Sequence, residues 1–133
     1  MGSDPVISLS EQFVHLGLGA TAVPQEPFDG MEWYERYGAR TASDGEEGRL
    51  VAMHTFDAPW DVWEVHPRGS ELVVCLDGSV TLHQELPEGT VTRTLGAGEA
   101  IVNPPGVWHT ADADEPVRML FVTAGLGTEH RPR

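Results

Sequence analysis

Cysteine occurs once in the 133 residues, at Cys75. A single thiol rules out an internal disulfide framework and a cysteine-ligated zinc ribbon. Basic residues are also scarce. Eight Lys and Arg stand against 21 Asp and Glu, for a formal net charge of −13. A nucleic-acid backbone and an anionic membrane surface are both polyanions, so neither is expected as a partner. No apolar run approaches the ~20 residues that span a bilayer. The amino terminus lacks the basic-then-apolar pattern of a secretory signal. These absences lead to the expectation of a cytoplasmic protein that contacts neither membrane nor nucleic acid.

What is present is an ordinary globular mixture, 40% hydrophobic and 22% charged. This length can bury one core without disulfide or metal staples. The 15 Gly and 10 Pro imply many turns, and the segments between them read as short strands. They are Gln12–Leu18, Ala20–Val23, Arg49–Phe56, Val62–His66, Glu71–Leu76, Ser79–Glu85, Thr90–Leu95, Ala100–Asn103, Val107–Ala111 and Pro116–Ala124. Asp77-Gly78 between two of them is a strong hairpin signal. Met31–Tyr37 is the exception: Trp33 and Tyr37 lie four apart, which predicts at most one short helical turn. About eight to ten evenly spaced strands indicate a sandwich or a closed antiparallel barrel. Residues 1–10 are expected to be flexible, 11–125 to form the single domain, and 126–133 to be a polar tail.

Four residues carry the candidate chemistry. Glu64 and His66 are two apart on a strand, so both side chains face the same way. Glu71 opens the next strand after a turn, and His109 follows a Pro-Pro-Gly turn. Two imidazoles and two carboxylates suit a divalent metal. A structural pairing of the same groups is the alternative.

Residues 64–78 read E-x-H-x4-E-x6-G (EVHPRGSELVVCLDG), and residues 98–109 read G-x5-P-x-G-x2-H (GEAIVNPPGVWH). These resemble the two signature motifs of the cupin superfamily, usually H-x-H-x3-4-E-x6-G and G-x5-P-x-G-x2-H-x3-N, over roughly Leu50 to Thr123. The first histidine is Glu64 here, and the closing asparagine falls at Ala113. The wider segment is similar to small stand-alone bacterial cupins of unassigned reaction. The resemblance implies an all-β, small antiparallel jelly-roll barrel and a homodimer. It also implies a metal set of Glu64, His66, Glu71 and His109. Exchanging a histidine for a carboxylate makes that set harder and favours Mn or Fe over copper, with Zn or Ni acceptable.

Three functions stay open. The first is a metal-dependent enzyme of dioxygenase, isomerase or lyase type acting on a small organic acid or aromatic compound, with Glu64 as fourth ligand or as catalytic general base. The second is a non-catalytic domain that binds or senses a small-molecule ligand. The third is a metal-free structural cupin.

Several other residues are open to two readings. Trp60, Trp63 and Trp108 are pocket walls or core and interface. Val73 and Cys75 share the parity of Glu71 and line the pocket or fill the core. His54 and His83 are pocket acid–base groups or ordinary core and surface histidines. Arg68 and Arg118 grip a substrate carboxylate or pair with surface acids. Asp112 and Asp114 are loop charge or extra ligands. His15 and His130 lie near the ends and carry little weight.

Overall fold

A computed structural model describes residues 4–133. Among the described residues, eleven strands form two antiparallel sheets that face each other as a jelly-roll barrel. The strands are β1 (Gln12–Gly17), β2 (Thr21–Pro27), β3 (Arg49–Phe56), β4 (Val62–Val65), β5 (Glu71–Asp77), β6 (Ser79–Leu86), β7 (Gly89–Gly96), β8 (Ala100–Asn103), β9 (His109–Asp112), β10 (Val117–Thr123) and β11 (Glu129–Pro132). One sheet runs β2-β1-β3-β10-β5-β8, the other β11-β4-β9-β6-β7. Among the described residues no helix is long and apolar enough to cross a membrane.

Two departures from the sequence reading bear on the site. The segment read as a polar tail contains β11, which pairs with β4 and places His130 opposite Glu64. The helical turn extends into α1 (Glu32–Thr41), followed by a 3-10 segment at Ala42–Glu47. No side chain caps the start of α1, so packing must hold it. Trp33 is fully buried, stacks on Tyr37 at 5.2 Å, and meets the edge of Phe13 at 5.2 Å. Arg36 and Arg40 then bind Glu26 of β2, at 2.8 and 3.0 Å. The helix thereby lies against β1 and β3 as one wall of the barrel. The part of the expected flexible start at residues 1–3 lies outside the described residues.

An apolar cluster of Val73, Cys75, Val80, Leu82, Val117 and Met119 fills one part of the interior. The hairpin beside it depends on Gly78, whose φ is +91°. A Cβ there would stand 2.6 Å from the Pro116 carbonyl oxygen. Gly78→Ala therefore combines left-handed strain with a clash against rigid backbone. It is expected to cost about 2 kcal/mol or more in urea unfolding. An unchanged midpoint would refute that account.

Strand register puts the functional side chains at one height. In one sheet His130, Glu64, His109 and Gln84 are consecutive cross-strand partners along β11-β4-β9-β6. In the other, Thr123, Glu71 and Asn103 are partners along β10-β5-β8. The Gln84 amide donates to Asn103 Oδ1 at 2.8 Å and joins the two rows.

Candidate metal centre

The two motif turns bring the ligand candidates together. Gly106 ends the Pro-Pro-Gly turn with φ +76°, and its amide donates to the His66 carbonyl at 3.0 Å. The turn before β9 is thus tied to the end of β4. One donor atom from each of Glu64, His66, Glu71 and His109 lies within 4.8 Å of the others. Glu64 Oε1 stands 3.1 Å from His66 Nε2 and 3.2 Å from His109 Nε2. Glu71 stands 3.3 Å from His66 Nε2 through Oε2 and 3.2 Å from His109 Nε2 through Oε1. All four sequence-derived candidates converge.

Groups around them hold these donors in a metal-ready state. The Thr128 hydroxyl donates to the Gly125 carbonyl at 2.8 Å, so its oxygen accepts from His66 Nδ1–H at 2.7 Å. His109 Nδ1 faces the Val107 carbonyl at 3.3 Å. In both rings the proton is drawn to Nδ1 and Nε2 is left for the centre. Glu71 accepts from Asn103 at 3.0 Å and from Thr123 at 2.7 Å. His66 Nε2 is buried, and despite the nearby carboxylates no group meets it with hydrogen-bond geometry. An unsatisfied buried nitrogen facing two carboxylates is what a cation at the centre would resolve, so the donor set fits a divalent ion.

Without an ion, protons must balance the carboxylates. Burial would lower the pKa of both histidines, but Glu64 and Glu71 override it and raise each to about 9. Burial alone would raise Glu64, yet hydrogen bonds from His109 and His130 and the nearby charge of His66 hold it far below the usual carboxylate range. Glu71 is lowered in the same way, against its burial, by His109 and His66.

A family model described as Cupin domain matches residues 51–123. The chain belongs to the cupin family. No curated protein matches it. Oxalate decarboxylase from Lactobacillus farciminis, solved as a formate complex, matches with TM-score 0.55 and 16% identity, over 71% of this chain and 29% of that one. An uncharacterized conserved protein with a double-stranded beta-helix domain from Klebsiella pneumoniae matches with TM-score 0.52 and 22% identity, over 64% and 76%. Hydroquinone 1,2-dioxygenase from a Sphingomonas species, with 4-hydroxybenzoate bound, matches with TM-score 0.48 and 18% identity. That match covers 55% of this cupin and 57% of the dioxygenase chain. At these identities the first two likenesses show the fold alone.

A cavity of about 990 Å³ opens from the four-donor cluster and is lined in part by Tyr34, His54, Phe56, Trp60 and Phe121. Two of the pocket readings need correction. Trp63 and Trp108 neighbour the ligands in sequence, so alternation turns them to the opposite face. There they sandwich the Arg131 guanidinium at 5.2 and 4.5 Å and do not line the cavity. Val73 and Cys75 do face inward, but they lie in the apolar cluster and not on the cavity wall. Burial raises the Cys75 thiol pKa.

His54 is on the cavity wall, 3.4 Å from the Tyr34 hydroxyl. His83 is not; it pairs with Asp112 at 2.6 Å. Arg68 pairs with Glu46 on the surface, and Arg118 is exposed away from the cavity. Asp112 also pairs with Arg133, and Asp114 is exposed.

The sequence reading missed Thr128 and gave His130 little weight. His130 Nε2 lies 2.9 Å from Glu64 Oε2. Only the pairing of β11 with β4 reveals either residue, and no local pattern signals it. Thr128→Val keeps the side-chain volume and removes the acceptor that orients His66. It is expected to weaken metal binding about 10- to 100-fold in competition titrations. Unchanged affinity would mean that Thr128 does not set the ring.

Proposed function

We propose that this cupin holds one divalent ion through Glu64, His66, Glu71 and His109 and acts on a small molecule bound in the adjoining cavity. Mn or Fe suits the two-carboxylate set best, with Zn or Ni acceptable. The supporting observation is the buried convergence of four donors with His66 Nε2 unsatisfied. Such an ion supplies Lewis acidity or redox capacity, which fits dioxygenase, isomerase or lyase chemistry. His66, His109, Glu71 and the Oε1 atom of Glu64 hold the centre. Glu64 has the catalytic role, as the carboxylate that takes or returns a proton at Oε2. His130, beside that oxygen and 42% exposed along its side chain, passes the proton to solvent.

The second reading is a non-catalytic binding cupin. It is favoured by the engagement of both Glu64 oxygens, Oε1 by two histidines and Oε2 by His130. A homodimer and a cytoplasmic setting complete the proposal, and light scattering reads the former.

Elemental analysis of protein purified without an affinity-tag metal, before and after loading with Mn or Fe, is the test. About one ion per chain is expected. Less than about 0.2 after loading would sink the proposal. Turnover or oxygen consumption on a substrate panel separates enzyme from binder.

A further inference from the structure

The cavity is unusual in its charge. The chain contains no lysine, all eight basic residues are arginines, and among the described residues none of them lines the cavity. Glu35, Asp57 and Asp61 do line it and are exposed. Glu64 and Glu71 add two more carboxylates at the inner end. Histidines offset these groups only in part. His54 is kept neutral by burial, which lowers its pKa. His15 is bonded to Asp44 at 2.6 Å, and His130 to Glu64. A divalent ion held by two carboxylates and two neutral imidazoles is formally neutral, because the two positive charges meet two negative ones. Even with His130 counted as a cation beside Glu64, the three exposed carboxylates Glu35, Asp57 and Asp61 outnumber it, so walls and centre together offer no net positive charge to an anion.

The apolar part of the wall is aromatic. Phe56, Trp60 and Phe121 meet one another with ring centres 5.5 to 6.3 Å apart. The Trp60 ring lies 6.5 Å from that of His109, so the aromatic wall reaches the metal centre. Edge and face contacts of this kind favour a planar ring, and their π faces favour a cation. Two uncharged polar groups accompany them. The Trp60 indole Nε1 is buried with no hydrogen-bond partner. The Tyr34 hydroxyl has only a long contact, to His54.

We infer that the cavity takes an uncharged or cationic aromatic small molecule and rejects aromatic carboxylates. This rests on the reading of the cavity as the ligand site of the metal centre.

The test uses Mn-loaded full-length protein and three probes with one ring and different charge: benzyl alcohol, benzylamine and benzoate. Isothermal titration is expected to show the alcohol or the amine binding at least about ten-fold more tightly than benzoate. Benzoate binding as tightly or more tightly would overturn the inference. So would the failure of all three to saturate below about 10 mM.

Glu64→His adds one positive charge to the loaded centre and is expected to cut the discrimination against benzoate at least about threefold. The exposed pair Asp57→Asn and Asp61→Asn makes the same test at the cavity rim without touching the ligands. It should cut the benzylamine advantage by a similar factor, and an unchanged ratio in both variants would count against the inference. Metal content is measured in the same samples. Preference for alcohol or amine in protein that takes up no metal would leave the charge selectivity standing while the metal proposal fails. Full metal occupancy with benzoate preferred would do the reverse.

Discussion

His109→Ala is expected to abolish metal retention, with affinity falling at least about 100-fold. His109 is 2% exposed and stands between the carboxylates of Glu64 and Glu71 at 3.2 Å from each. Its loss removes a donor and also a buried cation in the metal-free protein. Stranding carboxylates in this way costs about 3–5 kcal/mol, so the variant should also melt earlier at neutral pH. His109→Gln separates the two effects, because it keeps a polar stem while removing the ring nitrogen. Glu64→Ala should be milder, a partial loss of affinity, since the Glu64 side chain is 22% exposed and that of Glu71 only 4%. Normal metal content in His109→Ala would refute the site. Normal content in Glu64→Ala would remove only Glu64 from it.

Metal affinity is expected to climb steeply between pH 7 and pH 9. His66 and His109 titrate near 9 in the metal-free fold, so both carry protons at neutral pH, and an incoming ion must expel them. With two protons released per ion, affinity rises by up to about 100-fold per pH unit and levels off above about 9. Titration calorimetry in buffers of different ionisation enthalpy counts the protons, and release of none at pH 7 would refute the arrangement.

The metal-free protein responds in the opposite direction. A raised histidine pKa gives stability that is full below the unfolded value, 6.5, and is lost as pH rises through about 9. The lowered carboxylates give stability that is present above 4.5 and lost as pH falls. Stability from this cluster, on the order of a few kcal/mol, is therefore greatest between about pH 5 and 6.5. A bound ion should flatten the alkaline loss.

The convergence of the four donors was legible in the sequence because each lies at or beside a strand end next to its own turn. Glu64 and His66 share parity, and Gly78 and Gly106 occupy backbone positions with positive φ. Those local constraints survive in a one-dimensional pattern. The partners of the ligands do not. Asn103 reaches Glu71 across 32 residues and Thr128 reaches His66 across 62, through strand register that no short window encodes. The pocket tryptophans show a different failure. Trp63 and Trp108 adjoin the candidate ligands in sequence, yet each is one residue from one of them and so faces away from it. The parity argument that placed Glu64 and His66 together would have excluded both. Trp60, before β4, is outside that alternation and does reach the cavity. For α1, the spacing of Trp33 and Tyr37 revealed a turn, but the arginines that extend it bind Glu26 on another element.

The alignment of His130, Glu64, His109 and Gln84 along one row has a consequence for folding. A slip of two residues preserves which side chains face inward, so hydrophobic burial is a weak guard against it. It nevertheless shifts a donor by about 7 Å along its strand, far beyond coordinating reach. An ion seated in this barrel would thus act as a gauge of correct alignment, and its uptake during refolding would time the moment when the strands lock into place.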